Sequence, residues 1–212
     1  AGVVDFGQND NKDLSFSPSN NFYYLPGTQF TIPTGVNPPV PVTVPYIEIP
    51  AKVSGNNVFS AQPSIHDWFE TVKLNYGIDY PNHGHIHFDP IPDTWHKMLE
   101  VLTYWTNFGV DGFRCDMAEM VPVEFWAFVI PKIKSINPDL IFIAEIYQPS
   151  LYADYIFKGH FNYLYDKVGL YDSLKRDYVI WNTLEYNSIL SIIPLDYPSI
   201  LKKVLEKTKK YG

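Results

Sequence analysis

Cysteine is nearly absent from this chain. Of 212 residues only Cys115 carries a thiol, so no internal disulfide can staple the fold, and a lone thiol does not report the redox compartment. An excess of positive charge is lacking too. Sixteen Lys and Arg stand against 23 Asp and Glu, a net charge of −7. That balance argues against a nucleic-acid partner and is compatible with a neutral polymer. No apolar run is long enough to suggest a transmembrane helix, so no membrane partner is expected. Nothing matches GxGxxG or GxxxxGKS/T, which argues against a dinucleotide or ATP enzyme. No serine stands in a nucleophile context to join His66 and Asp67 in a triad. Internal repeats are missing as well.

Aromatic residues, by contrast, are plentiful: 16 Tyr, 14 Phe and 5 Trp. Aromatic faces stack on sugar rings, although most of these side chains belong to an ordinary core. Proline is plentiful and concentrated early. The stretch TIPTGVNPPVPVTVPYIEIP (residues 31–50) is too proline-punctuated for long helices or central strands. The alternation in VPVTVPYIEI (residues 40–49) still permits short edge strands. Residues 1–60 therefore read as a long excursion with little regular structure.

Regular elements follow. PDTWHKMLEVLTYWTNFG (residues 92–109) predicts a helix, with apolar residues at Trp95, Met98, Leu99, Leu102 and Trp105 and a stop at Gly109. Residues 110–115 predict a strand. VEFWAFVI and PKIKSI (residues 123–136) predict a crossover helix that Pro131 should kink or break in two. Residues 141–144 predict the next strand, LYADYIF (residues 151–157) a short helix, and FNYLYD (residues 161–166) a weak third strand. ILKKVLEKTKKYG (residues 200–212) reads as a basic amphipathic helix.

Two of these strands end in chemistry. GVDGFRCDMAEMVP (residues 109–122) reads as a buried strand that ends in an exposed carboxylate, Asp116, and runs into a loop. One βα unit later, IFIAEIY (residues 141–147) repeats the logic with Glu145. Acidic residues at the C-terminal ends of consecutive parallel strands are the minimum equipment for acid/base work on one substrate. Strand alternation puts Arg114 on the same side as Asp116, where the guanidinium can hold the carboxylate ionised. Cys115 should point the other way, as a small hydrophobe. Asp111 reads as structural. His83, His85 and His87 in NHGHIH could face one way on a strand as metal ligands, but no nearby Cys or His closes a site, and a solvated or substrate-facing loop is the preferred reading.

GFRCD followed by FIAEIY resembles the second and third signature regions of the α-amylase family of glycoside hydrolases, retaining enzymes on a (β/α)8 barrel. The resemblance extends over about residues 1–177 and includes the Leu74–Asn75 pair. It implies that Asp116 is the nucleophile, Glu145 the general acid/base and Arg114 a substrate-site residue. It implies a pKa for Glu145 raised by burial and by the Asp116 charge. It implies an α/β fold: a partial (β/α)8 TIM-type barrel with a long irregular domain B-like excursion. Residues 1–80 would be the excursion, 81–177 the central βα units, and 178–212 a divergent, partly helical tail. The implied substrate is an α-glucan or α-glucosidic oligosaccharide.

The departures are specific. The family's second region continues with a lysine and a histidine that bind sugar and help hold calcium. Here the stretch is MAEM, with Glu119 and Met120, so neither role carries over and calcium is left as the one candidate cofactor. The first region is missing, and so is the fourth, a His-Asp pair that supplies the third carboxylate; Asp166 and Asp172 do not match it. The chain is short of the about 250 residues of a whole barrel. Remaining barrel segments or a partner chain are therefore expected to be needed for turnover. The alternative is a non-catalytic carbohydrate-binding or scaffold relic of such a barrel.

Overall fold

The computed structural model describes residues 5–36, 46–166 and 168, together with the course of one strand at Ile192–Pro194. The basic helix expected at residues 200–212 lies outside the described residues, as does the alternating stretch up to residue 45; residues 46–50 form no strand. The chain divides into two compact units, residues 1–98 and 99–212.

The first unit is held together by little ladder and much side-chain bonding. β1 (Tyr24–Leu25) pairs antiparallel with β2 (Ala51–Lys52), and β3 (Ile78–Asp79) with β4 (His85–Ile86). Prolines remove ladder donors, so side chains satisfy the remaining backbone groups. The Asp10 carboxylate accepts the N–H groups of Asn21 and Phe22 and the hydroxyl of Tyr24. Buried Asn75 donates to the carbonyls of Ser17 and Asn20 and accepts from the N–H of Gly77. Tyr23, Tyr24, Val53 and Trp95 are buried around this network.

α1 (Asp93–Phe108) begins in the first unit and ends in the second. It stops at Gly109, whose φ of 97° turns the chain so that the Val110 N–H reaches back to the Trp105 carbonyl at 3.4 Å. The expected apolar stripe holds at Trp95, which is buried, but not at Trp105, which is 45 % exposed. The ring of Trp105 instead meets Tyr104 and Phe108, also exposed, edge to face at 5.4 and 5.6 Å.

The second unit is built on a sheet of order β5 (Gly112–Cys115), β6 (Ile141–Ala144), β7 (Tyr163–Tyr165) and β8 (Ile192–Pro194). The first three strands are parallel; β8 joins antiparallel. α2 (Val123–Ile136) crosses from β5 to β6, and α3 (Tyr152–Phe157) precedes β7. α2 runs through Pro131 as one helix, so of the expected kink or break the break does not occur. Its buried side chains, Phe125, Trp126, Val129, Ile130 and Ile133, lie on both sides of the proline, and their burial outweighs the single ladder bond that proline removes. Trp126 meets Phe161 at 4.9 Å, and Phe161 meets Phe142 of β6 at 6.4 Å. This α/β layer fixes the level at which the strands end.

β5 and β6 approach closely at Gly112, opposite Ile141. A Cβ at residue 112 would collide with the Ile141 carbonyl oxygen, which is backbone and cannot move aside. Gly112→Ala is expected to destabilise the second unit by about 1–3 kcal/mol, read from urea unfolding followed by tryptophan fluorescence. An unchanged midpoint would show that the seam has slack.

Candidate active site

β5 and β6 end level with one another. Cys115 pairs with Ala144, and the ladder continues one residue further, the Glu145 N–H bonding the Cys115 carbonyl at 3.0 Å. Asp116 and Glu145 thus sit side by side at the C-terminal edge of the sheet. Alternation turns Cys115 and Ala144 into the buried layer and the two acids, with Arg114, to the other face. Burial pushes the Cys115 thiol up to about 12, so it stays an inert thiol rather than a nucleophile.

All three residues read from the sequence meet here. Arg114 Nη1 donates to Asp116 Oδ1 at 2.5 Å, and Nη2 donates to Glu145 Oε2 at 2.7 Å. Its Nε donates to the Tyr165 hydroxyl at 3.1 Å, and the guanidinium carbon lies 5.4 Å from the Tyr165 ring. One cation therefore ties the ends of β5, β6 and β7 together.

The two carboxyl groups differ in surroundings. The Asp116 side chain is 76 % exposed and that of Glu145 only 10 %. Asp116 is held below the ordinary carboxylate range, first by hydrogen bonding with the Glu145 carboxyl and next by the Arg114 guanidinium. That agrees with the ionised state expected of a nucleophile beside Arg114.

Glu145 accepts three donors. Besides Arg114, the Met117 N–H reaches Oε2 at 3.1 Å, and the Tyr147 hydroxyl reaches Oε1 at 2.5 Å. Met117 itself takes the left-handed conformation, φ 43° and ψ 46°, at the turn where its N–H bonds Glu145. Glu119 also has a structural use. Its Oε2 accepts the N–H groups of Tyr147 and Gln148 at 3.0 and 3.1 Å, joining the loop after β5 to the loop after β6.

Sequence reading missed Glu119, Tyr147 and Tyr165. A signal for Tyr147 existed: it stands two residues after Glu145, on the same side by the alternation that places Arg114 beside Asp116. Asp166 follows β7 as the two site acids follow their strands, but it falls on the other side. It is buried and accepts the Tyr152 hydroxyl at 3.3 Å. Asp172 lies outside the described residues.

His83 and His85 belong to the β3–β4 hairpin of the first unit, and the His87 ring packs 5.2 Å from Phe16. Among the described residues no group of three His, Cys, Asp or Glu side chains is placed to hold a metal ion. No described helix is long and apolar enough to cross a membrane.

No protein-family model matches the chain. It is similar to the α-1,4-glucan:maltose-1-phosphate maltosyltransferase of Mycobacterium tuberculosis, 35 % identical over 81 residues, which are 38 % of this chain and 11 % of that protein. The enzyme of the same name from Cereibacter sphaeroides is 31 % identical over 90 residues, 38 % of this chain and 15 % of that protein. The resemblance to the α-amylase family is borne out. The matched stretch spans only 11 to 15 % of the length of these relatives. Among solved structures, an α-amylase from Lactobacillus plantarum superposes with a TM-score of 0.44 at 20 % identity, covering 72 % of this chain and 32 % of that one.

Two outcomes are expected from this geometry. In Arg114→Gln, the Asp116 carboxyl should titrate at higher pH than in the wild type, by carbon-detected NMR. Because its folded pKa is lowered, Asp116 contributes stability above its ordinary value of about 3.9 and loses it as pH falls through the folded value. The stability difference between the two proteins should therefore shrink from about pH 6 to about pH 3. Glu119→Ala should cost about 1–2 kcal/mol in urea unfolding by orphaning two N–H groups; no loss would mean that water replaces the carboxylate.

Proposed function

We propose that this chain carries the catalytic carboxylates of an α-amylase-type enzyme that acts on α-glucosidic bonds of glucans or their oligosaccharides. The observation that carries the proposal is the Arg114 guanidinium bonded to both Asp116 and Glu145 at neighbouring strand ends. In this reading β5, β6 and β7 are three parallel strands of a partial (β/α)8 barrel, and residues 1–80 are its domain B-like excursion.

The mechanism is a double displacement. Asp116, exposed and held ionised, attacks the anomeric carbon. Glu145 gives a proton to the departing oxygen. A second nucleophile then surrenders its proton to Glu145 and releases the sugar with retained configuration, which asks for carboxyl groups about 5–5.5 Å apart. If that nucleophile is water the outcome is hydrolysis; if it is a sugar hydroxyl or phosphate the outcome is transfer. The names of the curated relatives describe transfer to or from an α-glucan. The sequence holds no His-Asp pair after Glu145, so the remaining barrel segments, or a partner chain, complete the reaction. The same lack supports the second reading, a carbohydrate-binding relic.

5-Fluoro-α-glucosyl fluoride, whose fluoride leaves without an acid, is expected to add one glycosyl group at Asp116, located by peptide mass spectrometry. Asp116→Asn should take none. From maltoheptaose or soluble starch the chain alone should release few or no reducing ends. Sugar affinity without any adduct would decide for the binding relic.

A further inference from the structure

Glu145 has two oxygens with different company. Oε2 is held by Arg114 Nη2 and the Met117 N–H. A guanidinium and a backbone amide only donate, so neither of these two can receive a proton from Oε2. Oε1 is held by the Tyr147 hydroxyl, which can donate or accept. When Glu145 carries its proton, the groups beside it that can accept are the Tyr147 hydroxyl, at Oε1, and the Asp116 carboxylate.

We infer that Tyr147 is the positioning residue of Glu145, and that its hydroxyl selects Oε1 as the oxygen that carries and exchanges the proton; this rests on the acid/base reading of Glu145. While Oε1 carries the proton, the hydroxyl accepts from it. When the proton passes from Oε1 to the departing glycosidic oxygen, the hydroxyl turns to donate to the new carboxylate. When water or another hydroxyl attacks the glycosyl–Asp116 ester, its proton returns to Oε1, and Asp116 leaves as the carboxylate. Tyr147 keeps its own proton throughout. Hydrogen bonding to Glu145, and then burial, push its phenol up to about 12, so it does not compete as a base. Its backbone is fixed as well, through the N–H bonded to Glu119. Tyr165, the other tyrosine of the site, bonds Arg114 instead.

The first test reads the hydrogen bond without turnover. In protein labelled at the tyrosine ζ-carbon, with Tyr147→Phe identifying the signal, Tyr147 should titrate near 12. In Glu145→Gln it should fall by about one unit or more as the charged acceptor is lost. An unchanged titration would overturn the proposal. The second test uses the glucosyl fluoride. In Tyr147→Phe the adduct at Asp116 should form at the wild-type rate, because fluoride needs no acid, while its release by water slows about 10- to 100-fold. Equal slowing of both steps would mark a merely structural role and overturn the proposal. No adduct even on the wild type would sink the nucleophile reading of Asp116, with the tyrosine titration still deciding the role of Tyr147.

Discussion

Two carboxylates at neighbouring strand ends repel, because adjacent strands lie only about 4.8 Å apart. The Arg114 guanidinium makes the arrangement tenable by bonding one with each terminal nitrogen and the Tyr165 hydroxyl with the third. A lysine could not do this, since it offers a point charge where three directed donors are needed. The level ends of β5 and β6, the turn at Met117 and the Glu119 bridge all serve to present carboxyl groups to this one cation.

The division between the acids follows from the same layout. Asp116 stands out in solvent and is held charged. Glu145 is largely covered at the strand ends, with each oxygen held by its own partners. Neither difference comes from the residue types. It comes from one acid lying at the edge of the ladder beside open solvent and the other between two strands.

Much of this was legible in the sequence where a local rule governs. The strand at residues 141–144 appears with those bounds, the helix stops at Gly109, and Arg114 lies beside Asp116 because alternation is a property of one strand. Legibility failed where the outcome depends on distant segments. Pro131 looks like a break until the buried side chains flanking it are known to share one packed layer. Trp105 has the spacing of a core residue, yet it stays 45 % exposed, with its ring against the exposed Tyr104 and Phe108. Tyr165 became a site residue only through the β6–β7 register, which no single segment encodes. In the first unit, the carboxylate of Asp10 and the amide of Asn75 replace absent ladders, and their partners are scattered along the chain.

Met117 carries no chemistry of its own, yet its backbone delivers an N–H to Glu145 from a left-handed turn. Such a turn admits glycine and asparagine and resists valine and isoleucine, whose branched Cβ crowds the backbone there. Evolution at position 117 is thus filtered by stereochemistry rather than by side-chain function. A survey of tolerated substitutions would find this plain-looking methionine constrained, although its side chain plays no part in the bond.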